Sequence, residues 1–393
     1  MPATALRCGA ESSAYVPYEE DSRPREVSPR PLGPSALRVR EGPGASDAAR
    51  RYSGMPGCRD APWQREPSTV VSSEVALLPY TGSGPYCFSN SLGMALGEGA
   101  PPSPILEVLT GSPFGFQLLA DEVPLFDPFG WDPEAGLDAA IDVLGYACER
   151  SDGDDAGDAL LRLSAAVARG PVLVGPLDMG LLLHQPGSGS ATGADHYVVV
   201  VAVDGGTVVF HDPHGHPYAT LPTAEFLRAW SAEEVAYIER AFVLRTSFVR
   251  RREVTVDEAL RASLPGAVAW LGVRGDRDVP PGSLPNAQGL ERLAQQIEEG
   301  ELSPEIREMM EKFSVRVGAR RLSDAAVALA GSGFPEPARL LRAQARLLGS
   351  LQYPLVTGDD AALVTGLRRL APTYGELHGA LAEAVAADGA GAR

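Results

Sequence analysis

The chain has 393 residues and a formal net charge of −17, so it is long enough to form one large or two modest domains without disulfide staples. The acidic balance excludes nucleic acid as the main partner, because phosphate binding needs Lys or Arg clustered on a basic surface. Four widely spaced cysteines exclude a disulfide framework and a zinc ribbon.

No apolar run reaches the roughly 18 residues that a membrane-spanning helix needs, and no signal peptide is recognisable. We therefore expect no membrane association. A cytoplasmic, reducing location fits these features, and it would keep cysteine side chains as thiols.

Residues 1–68 mix Pro, Gly, Ser, Arg and Glu with neither a helical nor a strand period. Such a composition favours a disordered tail. We predict a catalytic domain over residues 69–252 and a helical region over residues 253–393.

The segment YTGSGPYCFSNSLGMALG predicts a helix with Cys87 in its first turn. Pro85 suits the first turn, with Ser83 or Gly84 as its cap. Unpaired N–H groups and the positive end of the helix dipole favour a thiolate there and should lower the pKa of Cys87. A buried structural cysteine is the alternative.

Residues 100–170 combine an aromatic loop with two helical patterns, GLDAAIDVLGYA and AGDALLRLSAAVARG. The Phe and Trp side chains of the loop either line a substrate pocket or fill the core. Cys148, near the end of the first pattern, is interpreted as core packing. The acidic segment SDGDDAGD lacks the spacing of a calcium loop, so we expect a solvated turn with a helix cap.

From residue 171 onward the sequence has the period of strands. PVLVGPLD predicts a short strand, DHYVVVVAV a central strand buried on both faces, and TVVFHDPHG the next strand. His196 thus opens one strand, and Asp212 closes the one that follows.

The loop between these two strands decides whether His196 and Asp212 meet. A three-residue loop over residues 204–206 would place Asp212 opposite Val198, which lies on the same face as His196. Asp212 would then be a diagonal neighbour of His196. A two-residue loop would put Asp212 on the opposite face.

The order Cys87, His196, Asp212 supplies the three groups that a thiol enzyme needs. The thiol requires a base to deprotonate it and a third group to hold the imidazole in one tautomer. Taken singly, His196 could be an ordinary strand-end histidine and Asp212 a turn residue before Pro213. Their joint occurrence after a helix-opening cysteine favours a catalytic triad.

Further histidines lie close to Asp212 in the sequence, namely His184, His211, His214 and His216. Alternate residues of a strand point to opposite faces, so His211 and Asp212 cannot both face one ion without a bend. We therefore predict no metal and no cofactor, and interpret the extra histidines as solvated or pocket-edge residues.

GPYCFSNSLGMAL, GPVLVGPLD, DHYVVVVAVDGGTVVFHDPHG and LPTAEFLRAW together resemble the bacterial papain-like group that includes the C39-like cysteine peptidases. More closely, they resemble the N-terminal domain of the butirosin biosynthesis protein H family, over about residues 75–250. The resemblance implies an α+β, papain-like (C39-peptidase-like) fold in which a nucleophile helix packs on an antiparallel sheet, followed by an α-helical C-terminal region. By position, Cys87 matches the nucleophile, His196 the base and Asp212 the residue that orients the base.

Members of the butirosin-type group are implied to be acyltransferases of natural-product and antibiotic biosynthesis. They move an acyl chain from an acyl carrier protein thioester to an amine. For this chain the resemblance implies an acyl carrier protein or other thioester donor and a small-molecule amine acceptor as partners. The helical patterns after residue 255 leave a homo-oligomer open.

One departure concerns the oxyanion hole. C39-type peptidases carry a Gln several residues before the cysteine, and ALLPYTGSGPYC contains none. Loss of such a donor typically costs about 100- to 1000-fold in rate. The replacement candidates are the backbone N–H of Cys87 and the side chains of Asn90, Ser83 and Tyr80. The absence weakens a peptidase interpretation more than a transferase one, because a thioester is already activated.

Two other functions stay open at this point. One is a hydrolase, either a peptidase, an amidase or a thioesterase, that uses the same triad. The other is a non-catalytic binding module of the same fold. The helical patterns after residue 255 suit a wall of an acceptor site or a dimerisation unit. Arg339, Arg342 and Arg346 could dock an acidic carrier protein or form a solvated face.

Overall fold

The computed structural model describes residues 85–391, which belong to one compact unit. The tail predicted over residues 1–68 and the oxyanion candidates Tyr80 and Ser83 lie outside the described residues. Within residues 85–391, no helix has the length and apolar character needed to cross a lipid bilayer.

The chain is an α+β protein whose first part combines helices with antiparallel strands. Its helices are α1 (Cys87–Leu96), α2 (Ser103–Leu109), α3 (Pro133–Val143), α4 (Ala156–Val167) and α5 (Thr223–Trp230). Its strands are β1 (Gln117–Leu119), β2 (Val123–Leu125), β3 (Tyr146–Ser151), β4 (Val172–Asp178), β5 (Asp195–Asp204), β6 (Thr207–Asp212), β7 (His216–Pro222), β8 (Leu244–Arg250) and β9 (Leu284–Pro285). The helical and strand patterns predicted around Cys87, His196 and Asp212 are confirmed.

The larger sheet has six strands in the order β3-β8-β4-β5-β6-β7, and the smaller has three in the order β2-β1-β9. The apolar run of β5 is buried on both faces, as its sequence predicts. Strand β8 was not predicted, because Arg245 interrupts its apolar residues. That arginine is fully buried and forms ion pairs with Glu134 and Asp138 of α3.

A two-residue turn, and not the predicted loop over residues 204–206, joins β5 to β6. Asp204 pairs directly with Thr207. Gly205 and Gly206 both have positive φ, 54° and 87°. Positive φ at both central positions is the type I′ geometry, whose twist matches that of the flanking strands. The three-residue prediction is therefore wrong.

A β-bulge restores the pairing that the longer loop was expected to give. The register shifts at Val201, and beyond that residue Val199 faces His211. The extra residue in β5 moves Asp212 to the face that carries His196. The predicted turn is wrong, but the bulge still makes the side chains of His196 and Asp212 neighbours.

Helix α1 begins at Cys87 itself, with Tyr86 as its N-cap and no side-chain hydrogen bond at the cap. Pro85 precedes the cap, so its predicted place inside the first turn is wrong. Ser83 and Gly84, the predicted caps, lie outside the described residues. The first-turn position of Cys87 is confirmed.

The C-terminal region is helical, as its sequence patterns predict. It comprises α6 (Val256–Leu271), α7 (Asn286–Glu299), α8 (Pro304–Met309), α9 (Val315–Gly331), α10 (Pro335–Ser350), α11 (Gln352–Thr357), α12 (Asp360–Leu370) and α13 (Thr373–Gly391). A single π-helical turn, Met310–Ser314, joins α8 to α9.

One buried apolar cluster runs from Phe88 in α1 to Leu381 in α13. It includes the loop aromatics Phe114, Phe116, Phe126 and Trp131, which therefore fill the core. A second cluster lies between the large sheet and helices α4 and α5. Helix α1 is thus packed on one side by β5 and belongs to the same core as the C-terminal helices.

Two smaller predictions fall in the segment before β4. Cys148 lies in strand β3, so its placement near the end of a helix is wrong, but it is partly buried and packs against the main apolar cluster, as core packing requires. The strand forms because the chain turns at Gly145, whose φ is 75°, directly after α3. Asp155 caps α4 by accepting from the Asp158 N–H, and this confirms the predicted cap.

Candidate active site

The structure brings the three residues of the predicted triad together. Cys87 is the first residue of α1, His196 the second of β5, and Asp212 the last of β6. The Nε2 atom of His196 lies 2.7 Å from Oδ1 of Asp212. The Cys87 thiol interacts with the same imidazole, and each group shifts the pKa of the other. Because Nε2 is engaged by the carboxylate, Nδ1 is the nitrogen left for the thiol.

Helix α1 is held against β5 next to the imidazole. The Ser91 hydroxyl, one turn along α1 from Cys87, donates to the backbone carbonyl of Tyr197 at 3.1 Å. Tyr197 directly follows His196 in β5. This bond fixes the position of the helix relative to the strand, and therefore that of the thiol relative to the imidazole.

The three side chains are shielded from solvent, with exposed fractions of 8% for Cys87, 1% for His196 and 0% for Asp212. Burial raises the pKa of the Cys87 thiol, and the hydrogen bond from His196 only partly opposes it. The predicted lowering of this pKa by the helix terminus is therefore wrong.

The imidazole of His196 is a stronger base than usual. Burial by itself lowers the pKa of His196, but hydrogen bonds with Asp212 and Cys87 more than offset it and raise the pKa to about 10. The attraction of the Cys87 thiolate is one cause of this rise, so the raised pKa describes the thiolate–imidazolium pair that forms when the thiol proton passes to His196.

Asp212 accepts hydrogen bonds from at least four groups. Its Oδ1 accepts from Nε2 of His196 at 2.7 Å and from the backbone N–H of His214 at 2.8 Å. Its Oδ2 receives the His184 ring and the Gln185 amide, each at 2.7 Å. Burial raises the pKa of Asp212, but these bonds and the charge of His196 hold it far below the usual range. The carboxylate is therefore ionised and fixed in orientation.

Sequence reasoning missed the contacts of His184 and Gln185 with Asp212. Both residues lie in the connection between β4 and β5, which must return to the end of β5 that carries His196 because these strands are antiparallel. That topology is a signal which could have placed them at the site. From the sequence alone, His184 is discussed only as a candidate metal ligand.

The extra histidines divide into two groups. His211 accepts the Tyr218 N–H at its Nδ1 and does not join Asp212 around a common point. His184, Asp212 and His216 do converge, with one potential ligand atom from each lying within 4.8 Å of the others. Alternate strand faces keep His211 apart from Asp212, as expected, whereas His184 reaches Asp212 from the β4–β5 connection, which was not expected.

Asn90 is the one side-chain oxyanion candidate among the described residues. It is buried in α1, one turn after Cys87. Its backbone N–H donates to the Tyr86 carbonyl at 2.8 Å, so only its side-chain amide is free for such a role. The N–H groups of the first turn have no partner within an α-helix and offer donors next to the thiol.

Beneath α1 lies a buried ion pair that involves the C-terminal region. Glu107 of α2 accepts from Ser89 at 2.5 Å and from Arg321 of α9 at 2.7 Å. The phenol of Tyr86, the residue before the thiol, donates to Asp324 of α9 at 2.8 Å. Helix α9 therefore supports the start of α1 through two polar contacts.

Two comparisons with known proteins gave matches. Residues 280–382, from just before α7 into α13, match the family model described as the YobF C-terminal domain. The uncharacterized protein YobF of Bacillus subtilis (strain 168) is 34% identical over 165 residues, which are 41% of this chain and 53% of that protein. The chain thus spans about half the length of the curated relative that it matches.

Proposed function

We propose that this chain is a cysteine-dependent acyltransferase with a papain-like fold. It takes an acyl group from a thioester, carried by an acyl carrier protein or another thiol, and gives it to a small-molecule amine. The observation that carries the proposal is the convergence of three side chains: the Cys87 thiol interacts with the His196 imidazole, which is hydrogen-bonded to Asp212. The resemblance to the butirosin biosynthesis protein H family over residues 75–250 supports the same assignment.

In the first half-reaction, the Cys87 sulfur attacks the thioester carbonyl while His196 takes the thiol proton. The tetrahedral intermediate collapses, the carrier thiolate leaves with the proton from His196, and an acyl-Cys87 thioester remains. In the second half-reaction, the amine attacks this thioester and gives a proton to His196, which returns it to the Cys87 sulfur as the amide leaves. Asp212 holds the imidazole in one orientation throughout.

Two observations favour transfer over hydrolysis. The preceding segment has no Gln to stabilise the oxyanion, and a thioester needs less such help than a peptide bond. Cys87, His196 and Asp212 are almost fully buried, so an acyl-enzyme formed there is shielded from bulk water. An amine bound in the site would then react before water.

The face proposed for carrier docking is on α10. Arg339, Arg342 and Arg346 are exposed on this helix, although Arg339 already pairs with Glu336 at 2.7 Å. Acyl carrier proteins are recognised through acidic surfaces, so a basic row of this kind would increase the association rate more than the affinity.

The test is intact-mass analysis after incubation with acylated carrier proteins. We expect one acyl adduct, lost in Cys87→Ala and retained in the matched control Cys148→Ala. Adding a panel of amines should discharge the adduct to amides. If no thioester of any chain length gives an adduct, the proposal fails.

The same assay separates the two alternatives. A hydrolase would release the free acid at the same rate with and without an amine. A non-catalytic module would form no adduct, and its Cys87 would be alkylated at neutral pH no faster than a free cysteine.

A further inference from the structure

Two histidines meet a carboxylate at the Oδ2 side of Asp212. His184 approaches from the β4–β5 connection and His216 from the first position of β7. Their rings stand edge to face with centroids 5.1 Å apart. With Asp212, they place three potential ligand atoms within 4.8 Å of one another. Three separate stretches of the chain therefore deliver metal-ligating groups to one point.

Only one of the two ring nitrogens of His184 has a hydrogen-bond partner among the described residues. Its Nε2 contacts Asp212, while its Nδ1 is buried without a hydrogen-bond partner among the described residues. The side chain is 9% exposed. A buried polar atom without a partner costs free energy, and a bound ligand can remove that cost. Turning this ring to present a lone pair to an ion would break one hydrogen bond only.

We propose that His184, Asp212 and His216 bind a divalent transition-metal ion, of which Zn²⁺ fits best. Two imidazoles and one carboxylate, with a fourth position left for water, are a ligand set that Zn²⁺ accepts in tetrahedral geometry. Imidazole ligands disfavour Mg²⁺ and Ca²⁺, which prefer oxygen. The amide of Gln185, also on Oδ2, can turn to offer its oxygen as the fourth ligand.

The ion would share Asp212 with the predicted base without displacing it. Oδ1 stays with His196, while Oδ2 faces the metal, so the carboxylate bridges the two groups. A hydrogen-bonded partner on the second oxygen is the usual support of a metal-bound carboxylate. No step of the proposed acyl transfer uses the ion, so the site goes beyond that function.

The experiment is titration of the full chain with Zn²⁺ by calorimetry and with Co²⁺ by visible absorption. Both are carried out in a Cys87→Ser background, because Cys87 with His196 is the competing set of zinc ligands. We expect one ion per chain and tetrahedral Co²⁺ bands without a thiolate charge-transfer band. His216→Ala and His184→Ala should each weaken binding by at least about 100-fold.

His378→Ala is the matched control, since His378 lies in α13, outside the ligand set. It should leave the affinity unchanged. Circular dichroism of each variant checks that loss of binding is not loss of fold. With only six histidines in the chain, ¹⁵N resonances of the ring nitrogens identify the ligands directly.

The proposal is overturned by any of three results. The first is that no stoichiometric ion binds to the Cys87→Ser protein. The second is that binding survives both His184→Ala and His216→Ala. The third is that the ring resonances of His184 and His216 do not shift on metal addition. None of these results bears on the acyl adduct at Cys87, so the two proposals fail independently.

Discussion

At the scale of single residues, the site depends on what surrounds Asp212. The residue types of the predicted triad could be recognised from local sequence, because a helix start, a strand start and a strand end are local patterns. The charge states of these three side chains could not be recognised from local sequence. Burial raises the pKa of Cys87. This burial depends on the packing of α1 against β5, and no local sequence pattern reveals that packing.

The raised pKa of His196 predicts a pH-dependent contribution to stability. An unfolded histidine has a pKa of about 6.5, and the folded value is about 10. Protonated His196 therefore stabilises the fold fully below about pH 6.5, and that contribution is lost as the pH rises through about 10. The difference in unfolding free energy between the wild type and His196→Gln should shrink across this window.

Urea unfolding of both proteins at several pH values measures this difference. The same pair in a Cys87→Ala background removes titration of the thiol and isolates the effect of Asp212 on the imidazole. A difference that stays constant from about pH 6 to about pH 10 would contradict the raised pKa.

At the scale of elements, the valine-rich β5 and its hairpin partner β6 were predictable, because an apolar run followed by Gly-Gly is a strong hairpin signal. Strand β8 was not. The charge of Arg245 is tolerated in the sheet only because Glu134 and Asp138 of α3 neutralise it, and these partners are more than 100 residues away in the chain. The bulge at Val201 was equally hidden, since it has no sequence mark within a run of valines.

The two-residue turn predicts unequal effects of two substitutions at Gly205. A Cβ on Gly205 would meet nothing within 4 Å, so only its φ of 54° opposes substitution. Gly205→Val should destabilise the protein by about 1–2 kcal/mol, because a β-branched residue disfavours the left-handed region. Gly205→Asn, which tolerates that region, is the control and should be close to neutral in urea unfolding. Equal effects of the two substitutions would exclude the type I′ turn.

At the scale of the whole molecule, the C-terminal helices form part of the core of the nucleophile helix. The helical character of this region followed from its periodicity, but the short helices α8 and α11, the start of α9 and the contacts with α1 did not. Arg320 and Arg321 look alike in the sequence. In the structure Arg320 is exposed and stacks on Tyr86, whereas Arg321 is buried against Glu107.

This difference predicts unequal effects of neighbouring substitutions. Arg321→Met should destabilise the protein by about 3–5 kcal/mol, because it leaves Glu107 as a buried charge without its partner. Arg320→Met should cost about 1 kcal/mol, since it removes only an exposed ion pair and a stacking contact. Urea unfolding measures both. If both substitutions cost about 1 kcal/mol, the buried pair does not support α1 as described.

The bulge at Val201 also has a consequence for recognising related sequences. Val201 is the extra residue between His196 and Asp212, which are 16 positions apart. A regular hairpin with the same turn and one residue fewer in β5 would give the same pairing next to His196. Histidine and aspartate spaced 15 or 16 residues apart are therefore structurally equivalent. A search for homologous sites should accept single-residue deletions in this strand and should not treat the spacing as fixed.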